Sequence, residues 1–459
     1  MHASKLNRYI QFLKSSEFRG YLAGSWSVSW PMIFIMFFEF LINLTDVYIA
    51  GILGKEIQAT VGFVSQIYFV FIVVAYALTI GSVAIVSKLY TAGDRAALSN
   101  TIYTILLSVG VAGVVLGLVG IFFAPMLIEI LNVPNEVKRN SIPLIEIYAG
   151  GLLFHYILIN TNGILRSSKM IRSSMRTMAL VCALNVLLNF LFVFCTPLGF
   201  RGIALSTAVS VFIGSLLNLR HIGRLVERVR TFSYAMLRSV IAVGWPSGLM
   251  RILWQIGSTV LFLVISALPE NNVEILAAFT NGLRIEAAIF LPAFAFNMAN
   301  AVVIGNLLGE RRETEAFRGG VVTAMIGVCF IVILTVIVVL NARLLATFLS
   351  HNRVVIDECV TYIYISMIGE PFMAWAVIIS GGLSGAGDTR GIMVIVVLSQ
   401  WLVRIPLSFL LGISLGFGAE AIWWSMNASI FVHALFMTRR YFRKKWLAAD
   451  PAPPAPAGP

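Results

Sequence analysis

Two carboxylates, Glu39 and Asp46, lie inside the apolar stretch WPMIFIMFFEFLINLTDVYIAGIL from Trp30 to Leu53, with Asn43 between them. Positions three, four and seven apart share a helix face, so the three side chains form one polar stripe on an otherwise apolar rod. An acid at a bilayer centre costs on the order of 2.5–3.5 kcal/mol even on lenient insertion scales, so such residues usually face a cavity and serve a pathway. The chemistry that suits them is proton or cation exchange, because desolvation disfavours a charged carboxylate and makes a buried acid able to take up and release H+. The competing reading for either acid is architectural: a carboxylate hydrogen-bonded to neighbouring helices, or one that completes a polar cavity.

Five amides, Asn43, Asn160, Asn162, Asn185 and Asn189, accompany the acids in apolar surroundings. They suit a substrate path or hydrogen bonds to the acids, and equally the gluing of helix to helix. The second half offers Arg251, Gln255, Arg284, Glu286 and Glu370. Arg284 and Glu286 are two apart and on different faces, so each is expected to pair across helices, in a network as well suited to structure as to transport. Arg404, beside Pro406, is expected near a membrane interface with its guanidinium snorkelling to water.

The elements that must hold these side chains are membrane helices. A chain of 459 residues with 59% hydrophobic and 12% charged residues, and mean hydropathy +0.90, is no water-soluble globule. Apolar runs long enough for about 30 Å of hydrocarbon recur along it. They predict an all-α polytopic membrane protein of about twelve spans, at 26–50, 57–87, 100–130, 140–165, 173–197, 202–222, 236–268, 274–308, 319–349, 356–384, 391–413 and 418–438. The expected organisation is a cytoplasmic segment 1–25, a six-helix bundle 26–222, a basic linker 223–235, a second six-helix bundle 236–440 and a basic, Pro/Ala-rich tail 441–459.

The net charge of +12 does not point to nucleic acid, since the bases collect on alternate loops, as the positive-inside rule expects. One side holds Lys5, Arg8, Lys14 and Arg19, then Lys88 and Arg95, then Arg166, Lys169, Arg172 and Arg176, with the linker, Arg311, Arg312, Arg390 and the C-terminal cluster Arg439–Lys445. Both termini are therefore expected in the cytoplasm of a plasma (inner) membrane protein. No cleavable signal peptide is read before Trp26. Cys182, Cys195, Cys329 and Cys359 lack CxxC spacing and read as small hydrophobes rather than disulfide or zinc ligands. No metal site or resident cofactor is expected.

The chain is also duplicated at an offset of 215–218 residues. Trp30-Pro31 answers Trp245-Pro246; Gly93-Asp94-Arg95 answers Gly309-Glu310-Arg311; GILRSSKMIRSSM (163–175) answers GGLSGAGDTRGIM (381–393); Leu198-Gly199-Phe200 answers Leu415-Gly416-Phe417. An offset of six helices gives two halves of like orientation, a parallel pseudo-two-fold repeat of the kind used by rocking transporters that bind substrate between halves.

On LINLTDVYIAGILG (41–54), NVLLNFLFVF (185–194), IGNLLGERRETEAF (304–317) and GGLSGAGDTRGIM the chain resembles the MATE (multidrug and toxic compound extrusion) transporters, most closely their DinF-like branch. The resemblance implies two six-helix bundles exporting cationic or amphipathic compounds against an inward flow of H+ or Na+. It places the coupling acid of the first helix on Asp46 and the bend of that helix at Pro31. The family's fifth-helix motif, Asn followed four residues later by Asp, falls on Asn185 and Asn189, so the second carboxylate is missing and Glu39 is left as a replacement titrating group. Sodium-coupled relatives tend to carry an acid on the seventh helix, where this chain has Trp254 and Gln255; Glu286 and Glu370 keep sodium open.

The expected function is a proton-coupled multidrug antiporter, a monomer acting on small amphipathic or cationic molecules. The alternatives are a Na+-coupled exporter and a lipid-linked precursor flippase of the related superfamily. No enzymatic activity is expected, since no DDxxD cluster supports a prenyl-transferase reading, and GGLSGAGD lacks the strand and Lys-Ser/Thr ending of a phosphate cradle.

Overall fold

The computed structural model describes residues 16–131, 133–228 and 230–448. Lys5, Arg8 and Lys14 of the N-terminal segment and the PAPPAPAGP tail lie outside the described residues. All described regular structure is helical: α1 Ser16–Leu53, α2 Lys55–Ala92, α3 Arg95–Ile130, α4 Asn135–Gly150, α5 Leu152–Ser167, α6 Ile171–Phe194 and α7 Arg201–Ile222. There follow α8 Tyr234–Ser266, α9 Asn272–Gly309, α10 Glu313–Leu340, α11 Ala342–Leu349, α12 Arg353–Ala386, α13 Thr389–Ser414, α14 Gly418–Phe442 and a 3₁₀ turn Lys445–Ala448.

Ten of these helices are individually long and apolar enough to cross a membrane, and α4 with α5, bent by 51° at Gly151, form an eleventh span. The twelfth expected span, α14, has 25 residues, its hydropathy diluted by Glu420, His433 and the terminal Arg439 and Arg440. The fold is thus the twelve-span, all-α plan.

Two expected rods are broken, each for a local reason. The segment 140–165 splits where Gly150 and Gly151 leave two successive residues without a Cβ to favour the helix. The segment 319–349 stops at Leu340 because the Asn341 amide turns back to the Ile337 carbonyl at 2.8 Å, competing with the backbone ladder. Within α13 the stretches Leu398–Arg404 and Ser408–Ser414 are π-helical, on either side of Pro406, which has no N–H to donate.

The duplication is written in the backbone. Residues of positive φ pair at offsets of 217 and 218: Gly93 (φ 82) with Arg311 (φ 60), Lys169 (φ 57) with Gly387 (φ 95), and Gly199 (φ 54) with Gly416 (φ 71), while Gly54 (φ 128, ψ 162) and Asn271 (φ 50, ψ 27) share only the sign of φ. Two of these three pairs keep a glycine on one side only, since a single αL residue costs an L side chain only about 1–2 kcal/mol. The Gly93–Arg311 pair sets the register two residues beyond the Gly93–Gly309 match of the sequence pattern.

The described chain forms two compact units whose boundaries fall inside helices, at Ile33/Phe34 and at Gly248/Leu249. Each boundary lies two residues past a repeated Trp-Pro, Trp30-Pro31 in α1 and Trp245-Pro246 in α8. The start of α1 therefore belongs to the unit built from α9 to α14, where Glu17 pairs with Arg318 at 2.6 Å and the Thr323 hydroxyl donates to Ser25 Oγ at 2.8 Å. The start of α8 belongs to the unit of α2 to α7: a Cβ at Gly244 would meet the Ala77 carbonyl, and one at Gly81 would meet the Val240 carbonyl.

The GGLSGAGDTRGIM segment is explained by packing. Gly381 and Gly385, one turn apart on α12, lie against the Asn297 and Ala301 carbonyls of α9 with no room for a side chain. Small residues permit this approach in membrane helices. Gly387 makes the left-handed turn, and Asp388 holds Arg440 of α14 through two bonds of 2.6 and 2.7 Å. Gly391 is required because the Arg440 guanidinium crosses over it.

Candidate ion-coupling site

In the unit of residues 34–248, Asp46 points from α1 into α6 and α7 and is 8% exposed. Asn189 Nδ2 donates to Asp46 Oδ1 at 2.8 Å and to Asn185 Oδ1 at 3.2 Å. Thr207 Oγ1 donates to Asp46 Oδ2 at 3.1 Å and accepts from Asn185 Nδ2 at 2.9 Å. Asn185 and Asn189 stand one turn apart on α6, and both are fully buried. Tyr148, at the end of α4, reaches Thr207 and Asp46. Its ring lies 5.0 Å from that of Tyr68, whose hydroxyl is 2.7 Å from His155 Nδ1.

Every group bonded to the Asp46 carboxylate is a neutral donor; among the described residues no cation lies against it. A buried ionised carboxylate with no counter-charge is expensive, so a proton or small cation is its natural partner. Asn189 Oδ1 is buried beside it without a hydrogen-bond partner. Rotating that amide would present an acceptor to a protonated Asp46, and the same cluster would then satisfy both forms of the acid.

The structure thus brings together Asp46, Asn185 and Asn189, and adds Thr207 and Tyr148, which the sequence did not single out. Thr207 lies in the mild segment ALSTAVS; only its placement opposite Asp46 marks it. The other expected residues lie elsewhere. Asn43 spends its amide on the Glu39 carbonyl of its own helix at 2.9 Å. Asn160 donates to the Tyr156 and Ala75 carbonyls, and Asn162 accepts from Ser174 and Asn218 at 2.9 and 2.8 Å, tying α5 to its neighbours.

Glu39 is not part of the Asp46 cluster. It is half-buried, and its carboxylate acts on the guanidinium of Arg166 in the last turn of α5. Arg166 is only 7% exposed. It is a buried partner of Glu39 rather than one of the free loop bases among which the charge count placed it.

The unit of residues 249–448 has its own polar centre. Glu286 of α9 accepts from the Tyr362 hydroxyl of α12 at 2.6 Å, and Ser366 lies against the same carboxylate. Glu370 faces Glu286, and Arg404 acts on both acids. Arg404 Nε donates to Ser429 at 2.9 Å, and the guanidinium lies 5.3 Å from the centre of the Trp254 ring. The expectation that Arg404 snorkels to an interface is corrected: it is 7% exposed, turned inward on the first π-helical stretch of α13. Gln255 and Arg284 are exposed and lie outside this centre.

A dozen apolar spans in a duplicated plan, carrying buried carboxylates at helix contacts, define an integral-membrane transporter. The MatE family profile matches residues 31–191 and 246–410, most of both repeats, and the chain belongs to that family. It is 22% identical to the transporter YisQ of Bacillus subtilis over 92% of this chain and 94% of that one. It is also 22% identical to the multidrug resistance protein NorM of Vibrio vulnificus strain YJ016, over 83% and 86%. Among solved structures, a MOP-superfamily transporter of Pyrococcus furiosus superposes with a TM-score of 0.85 at 20% identity, covering 96% of this chain and 99% of that one. The Vibrio cholerae MATE transporter VcmN in its bent form gives 0.87 at 17%, covering 94% and 98%.

Proposed function

We propose that the protein is a proton-coupled multidrug antiporter of a plasma (inner) membrane, exporting organic cations or other amphipathic small molecules as a monomer, with both termini cytoplasmic. The observation that carries the coupling is the Asp46 carboxylate, buried among neutral donors and, among the described residues, without a counter-charge. The relatives named for multidrug resistance support the substrate class.

Protonation of Asp46 removes the charge that holds Asn189 and Thr207 in place, and α1 then repacks against α6 and α7. Pro31, which cannot complete the helical ladder, stands two residues before the point where α1 passes from one unit to the other, and so serves as the hinge. Related MATE transporters have been solved in straight and bent conformations. No cofactor is needed: one charge crossing 100 mV is worth about 2.3 kcal/mol, a gradient of roughly fifty-fold per ion. The test is efflux of a fluorescent cation from proteoliposomes with pH and sodium gradients imposed separately. A pH gradient alone is expected to drive transport; transport driven by sodium alone would refute proton coupling.

Sodium coupling is the second reading, favoured by one observation. Glu286 and Glu370 share a single arginine, Arg404, and so leave an acid for a cation, with Tyr362 and Ser366 as further oxygens.

A further inference from the structure

At the end of α14 a groove of about 410 Å³ opens beside the GAGDTR turn. One wall is basic: Arg439, Arg443 and Lys445 line it, all exposed, and none has a carboxylate partner among the described residues. The other wall is apolar, formed by Ile395 of α13 and Phe436 of α14. Phe436 is 42% exposed. The floor is fixed. Asp388 clamps Arg440 against Gly391, and buried Trp446 donates its indole N–H to the Tyr441 carbonyl at 2.8 Å.

We infer that this groove is a binding site for an anionic phospholipid, with the phosphate on the basic wall and the first carbons of an acyl chain along Ile395 and Phe436. Charge complementarity supplies the head-group contact, since three cations line one groove and, among the described residues, no carboxylate pairs with them. The apolar wall decides between a lipid and a free anion, because phosphate alone would leave Ile395 and Phe436 in water. Arg440 is withdrawn from the ligand by its bidentate pair with Asp388. That pair, seated over Gly391, instead fixes the side of the groove: Arg440 is a positioning residue.

The test uses the full-length protein in neutral detergent micelles, titrated with phosphatidylglycerol, phosphatidylcholine or inorganic phosphate while thermal unfolding is followed. Each basic side chain near a negative lipid is worth roughly fivefold in affinity, so the triple variant R439Q/R443Q/K445Q is expected to bind phosphatidylglycerol on the order of a hundredfold more weakly. Arg443→Gln alone is expected to lose about fivefold, which keeps the test valid if the triple variant folds poorly. Phosphatidylcholine is expected to raise the unfolding midpoint less, and inorganic phosphate not at all. An undiminished phosphatidylglycerol shift in the variants would overturn the assignment to this groove. Equal stabilisation by inorganic phosphate would overturn the lipid reading.

Discussion

Asn189 donates its amide to Asp46 across 2.8 Å although the two residues are 143 positions apart in the chain. Where the resemblance to MATE transporters implies a second carboxylate, this chain places a donor, and the first-helix acid is left alone with amides and hydroxyls. On the proposed reading, the coupling centre is accordingly a single-acid site.

Thr207→Val removes the hydroxyl that donates to Asp46 Oδ2 and accepts from Asn185. A hydrogen bond to a charged group is worth about 1.5–3 kcal/mol. Proton-driven transport by the valine variant should therefore fall by at least about tenfold, with Thr207→Ser close to wild type. Initial efflux rates in proteoliposomes check this.

Glu39→Gln leaves Arg166 buried without its counter-charge. Removing one partner of a fully buried pair costs about 3–5 kcal/mol, and the half-exposure of Glu39 reduces this to roughly 1–3. The unfolding midpoint in detergent should drop, and a second change, Arg166→Met, should restore much of it. Loss of proton coupling at an unchanged midpoint would instead mark Glu39 as a titrating residue.

Arg404→Gln leaves Glu286 and Glu370 facing each other without a cation. The expected cost is on the order of 3–5 kcal/mol, partly recovered in the double variant with Glu370→Gln. If the second reading holds, sodium should raise the unfolding midpoint of wild type and fail to do so in Glu370→Gln.

Gly385→Val forces a side chain into the Ala301 carbonyl of α9. Overpacking of this kind costs about 1–3 kcal/mol. Cross-linking of cysteines placed on α9 and α12 should report the separation of the two helices, and an unchanged cross-linking yield would contradict the packing described.

The spans were legible because hydrocarbon thickness and backbone hydrogen bonding leave few solutions for long apolar runs. Asp46, Asn185 and Asn189 were legible through chemistry that is costly in a membrane. Thr207 was not, because a threonine costs little anywhere and acquires a role only from what it faces. The burial of Arg166 and Arg404 is hidden for a related reason: a basic residue near a helix end ordinarily reaches water, and only the packing of α5 and the π-helical turn of α13 send these two inward. The passage of α1 and α8 between units is equally invisible locally, although Trp-Pro marks both places.

The central claim is that Asp46 carries the proton, and its most direct measurement is substrate-induced proton release from purified protein. Wild type should release protons when a transported cation is added under weak buffering. Asp46→Asn, which keeps size and hydrogen bonding but cannot titrate, should release none and show no pH-driven efflux. Proton release and efflux by Asp46→Asn at the wild-type level would contradict the account.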